Sequence, residues 1–169
     1  MTFAENLSDV DTKFILSLKQ NPSQKSITIY NPSTFDHPRI AINEGKLLQK
    51  AFETAGYFKS VKVGYKDDDV FALVFLTRKH EEGIGVWITG LSFGILPSIT
   101  YETITTEVSI RDQKSGNASN YKRESKFKIY NGWIFLPLWP FFLENPEYQK
   151  LLNHHIQSIL KEAKLDGTI

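Results

Sequence analysis

Two long alternating runs of residues, separated by a polar loop, constrain the fold of this chain more than any other feature of its sequence. In the first run, residues 100–111, Ile104 and Val108 fall on one face of an extended strand. In the second run, residues 122–130, one face holds Arg123, Ser125, Phe127 and Ile129, and the other face is mostly charged. The loop at 112–120 is rich in Asn, Ser and Gly, which favour turns. The pattern predicts an antiparallel pair of strands with one face in water.

Two amphipathic helices are predicted, one before and one after this hairpin. The first spans about residues 40–55, and Gly56 suits its left-handed C-terminal cap. The second has Asn145 as its N-cap and Pro146 as its first helical residue, and an apolar stripe follows at 148–163. Because each helix is apolar on one stripe only, both fit on the same face of a sheet.

Four further segments have the composition of strands. Residues 26–30 and 60–65 flank the first helix and are expected to pair in parallel, with Tyr65 on the same side as the valines before it. Residues 70–77 form a continuous apolar run, which predicts a central strand covered on both faces. Residues 84–95 are apolar but interrupted by three glycines, as in a strand with bulges.

The predicted element order is therefore β-α-β-β-β-β-β-α. It defines an α+β fold: an antiparallel-rich mixed sheet of about five to six strands with two helices packed on one face. We expect one domain at residues 26–169, preceded by an N-terminal tail or tether at 1–25. Within that tail, the sequence leaves two alternatives open. One is a short helix capped by Ser8 that carries Val10, Phe14 and Leu18, and the other is a short strand at residues 13–18.

Composition excludes several kinds of chemistry. The chain has no cysteine, so disulfides, thiol catalysis and cysteine-based zinc sites are impossible. The net charge of +1 gives no electrostatic case for nucleic acid. His80 lacks the second histidine of a metalloprotease motif. His155 falls on the apolar stripe of the second helix, which predicts a half-buried core histidine. Residues 67–69 fit a solvated acidic turn better than a calcium loop. We expect no enzymatic activity, no metal and no cofactor.

The most apolar stretch lies at residues 132–142 and holds two of the three tryptophans. The longest apolar run contains two prolines and falls well short of the roughly 20 residues that a membrane-spanning helix needs. Residues 132–136 are predicted to end a strand and enter the core. Residues 137–142 are a connector whose large apolar side chains suit a membrane or partner surface. The predicted surface comprises Phe93, Ile95, Leu96, Leu138, Trp139, Phe141 and Phe142.

Several segments together resemble a group of bacterial envelope domains. These segments are the strand at 26–30, the Asn-Pro-Ser loop at 31–33, the helix and strand motifs at 47–52 and 56–61, and the Gly-rich segment at 89–98. The group includes the lipopolysaccharide-assembly lipoprotein, the N-terminal domain of the Tol-system translocation protein, curli-secretion-type lipoproteins and small uncharacterised lipoproteins. The resemblance implies the periplasmic side of the envelope, a lipid anchor on a removed N-terminal Cys, and no catalysis. The sequence shows neither a leader nor a lipobox Cys, and a cytoplasmic location stays open.

The expected function is that of a non-catalytic envelope lipoprotein domain, with a role in envelope assembly. Its expected partner is an envelope protein or a lipid surface, bound through an edge strand and the aromatic-proline stretch, and not nucleic acid. The alternative is a carrier that holds a small apolar ligand between helices and sheet. The sequence does not fix the oligomeric state.

Overall fold

A computed structural model describes most of the chain. The described residues are 2–5, 12–20, 22–32, 38–65, 68–81, 87, 90–93, 98–131 and 146–169. Their strands are β1 (Thr2–Glu5), β2 (Ser26–Tyr30), β3 (Ser60–Val63), β4 (Val70–Glu81), β5 (Ser98–Asp112) and β6 (Ala118–Asn131). Their helices are α1 (Thr12–Gln20), α2 (Pro38–Ala55) and α3 (Pro146–Leu165).

The six strands form one mixed sheet in the order β1-β6-β5-β4-β2-β3. Strand β2 runs parallel to both β3 and β4, whereas β1 pairs antiparallel with β6. The predicted α+β class, the mixed sheet and the parallel pair flanking α2 are confirmed. Gly56 has a φ of 67°, in the left-handed region that the helix cap requires.

The described residues fall into two compact units. The first comprises those within Met1–Leu7, Thr77–Thr105 and Glu124–Leu151. The second comprises those within Ser8–Leu76, Thr106–Arg123 and Leu152–Ile169. The predicted division of the chain at residue 25 stays a prediction.

The core of the second unit forms where the apolar stripes of α2 and α3 meet strands β2, β4 and β5. Each large apolar side chain buried there stabilises the fold by roughly 1.5–3 kcal/mol. The fully buried members include Ile27, Ile29, Leu48, Phe52, Val70, Val74, Ile110, Leu152, Ile156, Ile159 and Leu160.

Two elements lie within the residues predicted as a tail, a strand that was not predicted and the helix that was one of two alternatives. Strand β1 pairs with β6, Thr2 lying opposite Ile129 and Glu5 opposite Lys126. The helix α1, and not the alternative strand, occupies residues 12–20, and Leu18 is fully buried. The ring of Phe14 also lies 5.3 Å from the Lys161 ammonium.

The strand predicted at residues 84–95 is wrong for the residues described there. Trp87, Gly90 and Leu91 are helical, and Ser92 and Phe93 form a turn. The glycines indicate the reason, because they weaken a strand and permit tight turns. The sixth strand of the sheet is β1 instead. Asn145 and residues 132–142 lie outside the described residues.

Strand β4 is central, as predicted, but only one of its faces is fully covered. Val70, Ala72 and Val74 are completely buried, whereas Phe75 is 43% exposed. The placement of Tyr65 beside the valines of β3 is also wrong. The strand ends at Val63, and the ring of Tyr65 contacts a residue on the opposite side of the sheet, as described below.

Candidate functional site

An aromatic surface lies on the side of the sheet opposite the helices of the second unit. In the parallel pair β2–β4, Tyr30 lies opposite Leu73. Side chains alternate between faces along a strand, so Tyr30, Phe71, Leu73 and Phe75 point away from the buried Ile29 and its neighbours. Together with Tyr65, these four residues form what we call the aromatic face.

Two tyrosines form the closest contact on the aromatic face. The ring centroids of Tyr30 and Tyr65 are 4.4 Å apart with the planes tilted by 41°, and the hydroxyl oxygens are hydrogen-bonded at 3.0 Å. This hydrogen bond, with smaller contributions from burial and from the charge of Tyr30, raises the pKa of the Tyr65 hydroxyl. On its other side, Tyr30 stacks on Phe71 at a centroid distance of 6.5 Å.

The aromatic face remains accessible. Tyr65 is 65% exposed, and Phe75 is among the exposed large side chains, while Tyr30, Phe71 and Leu73 are half-buried. An exposed patch of aromatic and apolar side chains of this kind is typical of a binding surface.

Charged and polar groups fix the end of the sheet beside the aromatic face. Thr28 donates a hydrogen bond to the Asp68 carboxylate at 2.9 Å, and the Lys62 ammonium contacts the same carboxylate at 3.1 Å. The hydrogen bonds from Thr28 and then Lys62 lower the pKa of Asp68. Asp69 accepts from the Ser26 amide, which together with Lys114 lowers its pKa. These carboxylates anchor strands while their side chains stay partly exposed, 15% for Asp68 and 29% for Asp69.

The chemistry-bearing groups described in the structure do not form a metal centre. Within the described ranges, no three His, Asp or Glu side chains are arranged to hold a metal ion. Asp67, the first residue of the acidic run, lies outside those ranges.

His155 is a core residue. Its side chain is 1% exposed, and its Nδ1 lies 2.9 Å from the Thr106 hydroxyl. Burial, with smaller contributions from His154 and Arg123, lowers the pKa of His155 from 6.5 to about 4. The ring is therefore neutral at pH 7. The predicted core histidine is confirmed, although it is fully buried and its partner is a side-chain hydroxyl.

This lowered pKa predicts acid sensitivity in a defined window. Because the unfolded chain binds the proton more tightly, stability should be complete above pH 6.5 and fall by about 2–3 kcal/mol between pH 6.5 and 4. His155→Gln keeps a hydrogen-bonding partner for Thr106 without titrating, so it should flatten this dependence. Urea unfolding at each pH measures it.

The matched control for this pH experiment is His80→Gln. His80 is exposed on β4, so its replacement should leave the pH dependence of the wild-type protein in place. An unchanged dependence in His155→Gln would contradict the assignment of the acid sensitivity to the buried ring.

The first unit holds an exposed apolar turn. Trp87 is 76%, Leu91 83% and Phe93 86% exposed. Phe93 has a φ of 52°, which is uncommon for a residue other than glycine. Of the predicted surface residues, Phe93 is thus placed in the solvent. The other six, namely Ile95, Leu96, Leu138, Trp139, Phe141 and Phe142, lie outside the described residues.

The aromatic face was missed by the sequence prediction, although a signal for it existed. Two helices confined to one face of a sheet leave the other face uncovered, and Phe71, Leu73 and Phe75 alternate on β4. Treating residues 70–77 as covered on both sides concealed that alternation.

Comparison with known proteins does not place the chain in a family. No family model matches it, and no curated protein matches it. Among solved structures, the PelC dodecamer of Paraburkholderia phytofirmans is 9% identical over 95% of both chains, with a TM-score of 0.42. A DUF330 protein of Xanthomonas campestris is 9% identical over 84% of this chain and 82% of its own, with a TM-score of 0.43.

A third structure is a putative neuraminyllactose-binding hemagglutinin homolog from Helicobacter pylori. It is 10% identical over 94% of this chain and 90% of its own, with a TM-score of 0.35. Identities and TM-scores this low do not assign the chain to the class of any of these proteins. In the described part of the chain, no helix is long and apolar enough to cross a membrane.

Proposed function

We propose that this protein is a non-catalytic binding domain of the bacterial cell envelope and that its aromatic face holds a partner protein. The observation that carries the proposal is the exposure of Phe75, on β4, and of Tyr65, after the end of β3, beside the half-buried Tyr30. The envelope location rests on the resemblance of residues 26–61 and 89–98 to envelope lipoprotein domains.

The surroundings of the aromatic face favour a protein partner over a lipid surface. Glu107 and Lys122 form an ion pair at 2.9 Å, and Glu107 lies one position along β5 from Thr106, which contacts helix α3 through His155. The ion pair is therefore on the same side of the sheet as the aromatic face. Lys62 and Asp68 form a second ion pair on that side. Aromatic residues beside polar groups of both signs are typical of protein interfaces.

The partner is expected to bind the face of the sheet more than its edge. The edge strand β3 has only 4 residues, and the backbone carbonyl of Val61 accepts a hydrogen bond from Gln49 at 3.4 Å. Short edge strands that carry a lysine, as Lys62 does here, resist the addition of another strand. The predicted binding mode through an edge strand is therefore less favoured at β3 than docking on the aromatic face.

Photo-crosslinking in living bacteria tests the proposal. A benzophenone amino acid at position 75 should form a discrete protein adduct. The same group at Lys50, an exposed position of α2, is the control and should not form it. Adducts of equal yield at both positions, or none at position 75, would contradict binding at the aromatic face.

A point substitution should then weaken binding to the identified partner. Phe75→Lys places a charge in an aromatic interface, and we expect a loss of about 2 kcal/mol, roughly a thirtyfold rise in Kd. Because Phe75 is 43% exposed, the melting temperature should change little. If phospholipid vesicles capture the wild-type protein but not Phe75→Lys, the surface binds lipid and the assignment of a protein partner is wrong.

A further inference from the structure

The pair formed by Tyr30 and Tyr65 is arranged for a covalent modification. Their hydroxyl oxygens, at 3.0 Å, are closer than their ring centroids, at 4.4 Å. The two rings therefore converge toward their hydroxyl ends, where the ortho carbons lie. The ortho carbons are the positions at which two phenoxyl radicals couple.

We propose that Tyr30 and Tyr65 form an intramolecular dityrosine cross-link when the protein meets a peroxide-driven one-electron oxidant. This inference stands on the geometry of the pair and does not depend on the proposed partner protein. Access supports it, since Tyr65 is 65% exposed. The stacking of Tyr30 on Phe71 holds one ring in place, so few geometries compete with coupling inside the pair.

The chemistry balances without any group supplied by the protein. Each phenol gives one electron and its hydroxyl proton to the oxidant, and the two radicals form one carbon–carbon bond between ortho carbons. The hydrogen on each of these carbons then moves to the phenolic oxygen, which restores both hydroxyls. Hydrogen peroxide, acting through a haem peroxidase, takes the two electrons and two protons and becomes two molecules of water.

The cross-link would change both the stability of the protein and the candidate surface. It joins residues 35 positions apart and closes a loop that contains α2 and β3. Such a closure restricts the unfolded chain in the way a disulfide does, so it raises stability. It also fuses two side chains of the aromatic face into one rigid group.

The test uses the purified full chain, a haem peroxidase and a limiting amount of hydrogen peroxide. Trypsin cleaves after Lys25, Arg39, Lys62 and Lys66, so the cross-link should join peptides 26–39 and 63–66 with the loss of two hydrogen atoms. Dityrosine fluorescence should appear in monomeric protein, with a yield independent of protein concentration. The oxidised monomer should unfold at a higher urea concentration than the untreated one.

Conservative variants make the test specific. Tyr30→Phe and Tyr65→Phe keep the rings and should each abolish the joined peptide, while far-UV circular dichroism verifies that they fold. Tyr101→Phe, at a tyrosine of β5 in the other unit, should leave the yield unchanged. The proposal is wrong if the joined peptide persists in Tyr30→Phe, or if the wild-type protein gives only cross-links between molecules.

Discussion

Phe52→Ala is expected to reduce the free energy of unfolding by about 3–5 kcal/mol, the range typical of aromatic residues removed from a protein core. Phe52 lies on α2 and is one of the largest side chains with no exposure to solvent. The substitution removes apolar contacts and leaves a cavity that the stripe of α2, including Leu48 and Ala51, cannot fill without moving. Chemical denaturation measures the loss.

The control for Phe52→Ala lies on the same helix. Lys46 is exposed on α2, and Lys46→Ala should change stability by less than about 0.5 kcal/mol. If the two variants lose similar amounts, α2 does not pack against the sheet through the stripe that contains Phe52.

Asp112→Ala is expected to cost about 3 kcal/mol, because it removes the buried carboxylate of an ion pair with the partly exposed Lys25 and several hydrogen bonds at once. The Asp112 side chain is 3% exposed and accepts a hydrogen bond from the Lys25 ammonium. Its other oxygen accepts from the backbone amides of Lys114, at 2.8 Å, and Ser115, at 3.3 Å. One carboxylate thus orders the β5–β6 loop and ties it to the residue before β2.

Two further variants separate these roles of Asp112. Asp112→Asn keeps an acceptor for the loop amides but loses the charge, so it should cost less than Asp112→Ala. Lys25→Met leaves the carboxylate without its cation and should also destabilise the protein. Additive losses in the double variant Lys25→Met with Asp112→Asn would show that the ion pair contributes nothing of its own.

The pH dependence of Asp112 differs from that of His155. The hydrogen bond from Lys25, and then those from the loop amides, lower the pKa of Asp112 below 3.8. The contribution of ionised Asp112 to the free energy of unfolding is therefore complete above pH 3.8. It is lost as the pH falls through the lower pKa that Asp112 has in the folded protein. The free energy of unfolding should therefore decrease in two pH ranges, between pH 6.5 and 4 for His155 and below pH 3.8 for Asp112.

The elements with strong local periodicity were predictable. In β5, Ile104, Val108 and Ile110 are buried on one face while Glu107 is exposed. On α3, every residue of the stripe predicted at 148–163 is buried. When one face of an element is buried, apolar residues repeat every two residues in a strand and about every 3.6 residues in a helix. The sequence therefore shows the pattern directly.

The elements that depend on distant partners were not predictable in the same way. Strand β1 has only 4 residues, and what defines it is pairing with β6, more than 120 positions away. Trp87 and Leu91 belong to an apolar segment with the composition of a strand, but both residues are helical. Whether such a segment forms a strand or a helix is decided by tertiary contacts, which override local propensity.

The exposure of the candidate site also depends on distant parts of the chain. Phe71, Leu73 and Phe75 are apolar, and the sequence alone assigned them to a buried strand. Exposure was decided by the helices, which in the described part of the chain pack on the opposite side of the sheet.

By itself, the sequence of this protein determined an α+β fold with one parallel crossover, a hairpin with one wet face, and helices that each bury one stripe. Its lack of cysteine also excluded thiol chemistry and disulfides. Only the tertiary structure decided that β1 pairs with β6, that β4 keeps one face open, and that Tyr65 meets Tyr30. Periodicity and capping act over a few neighbouring residues, whereas pairing and exposure depend on groups far apart in the chain. The aromatic face therefore became apparent only when β2, β4 and the turn after β3 were placed together.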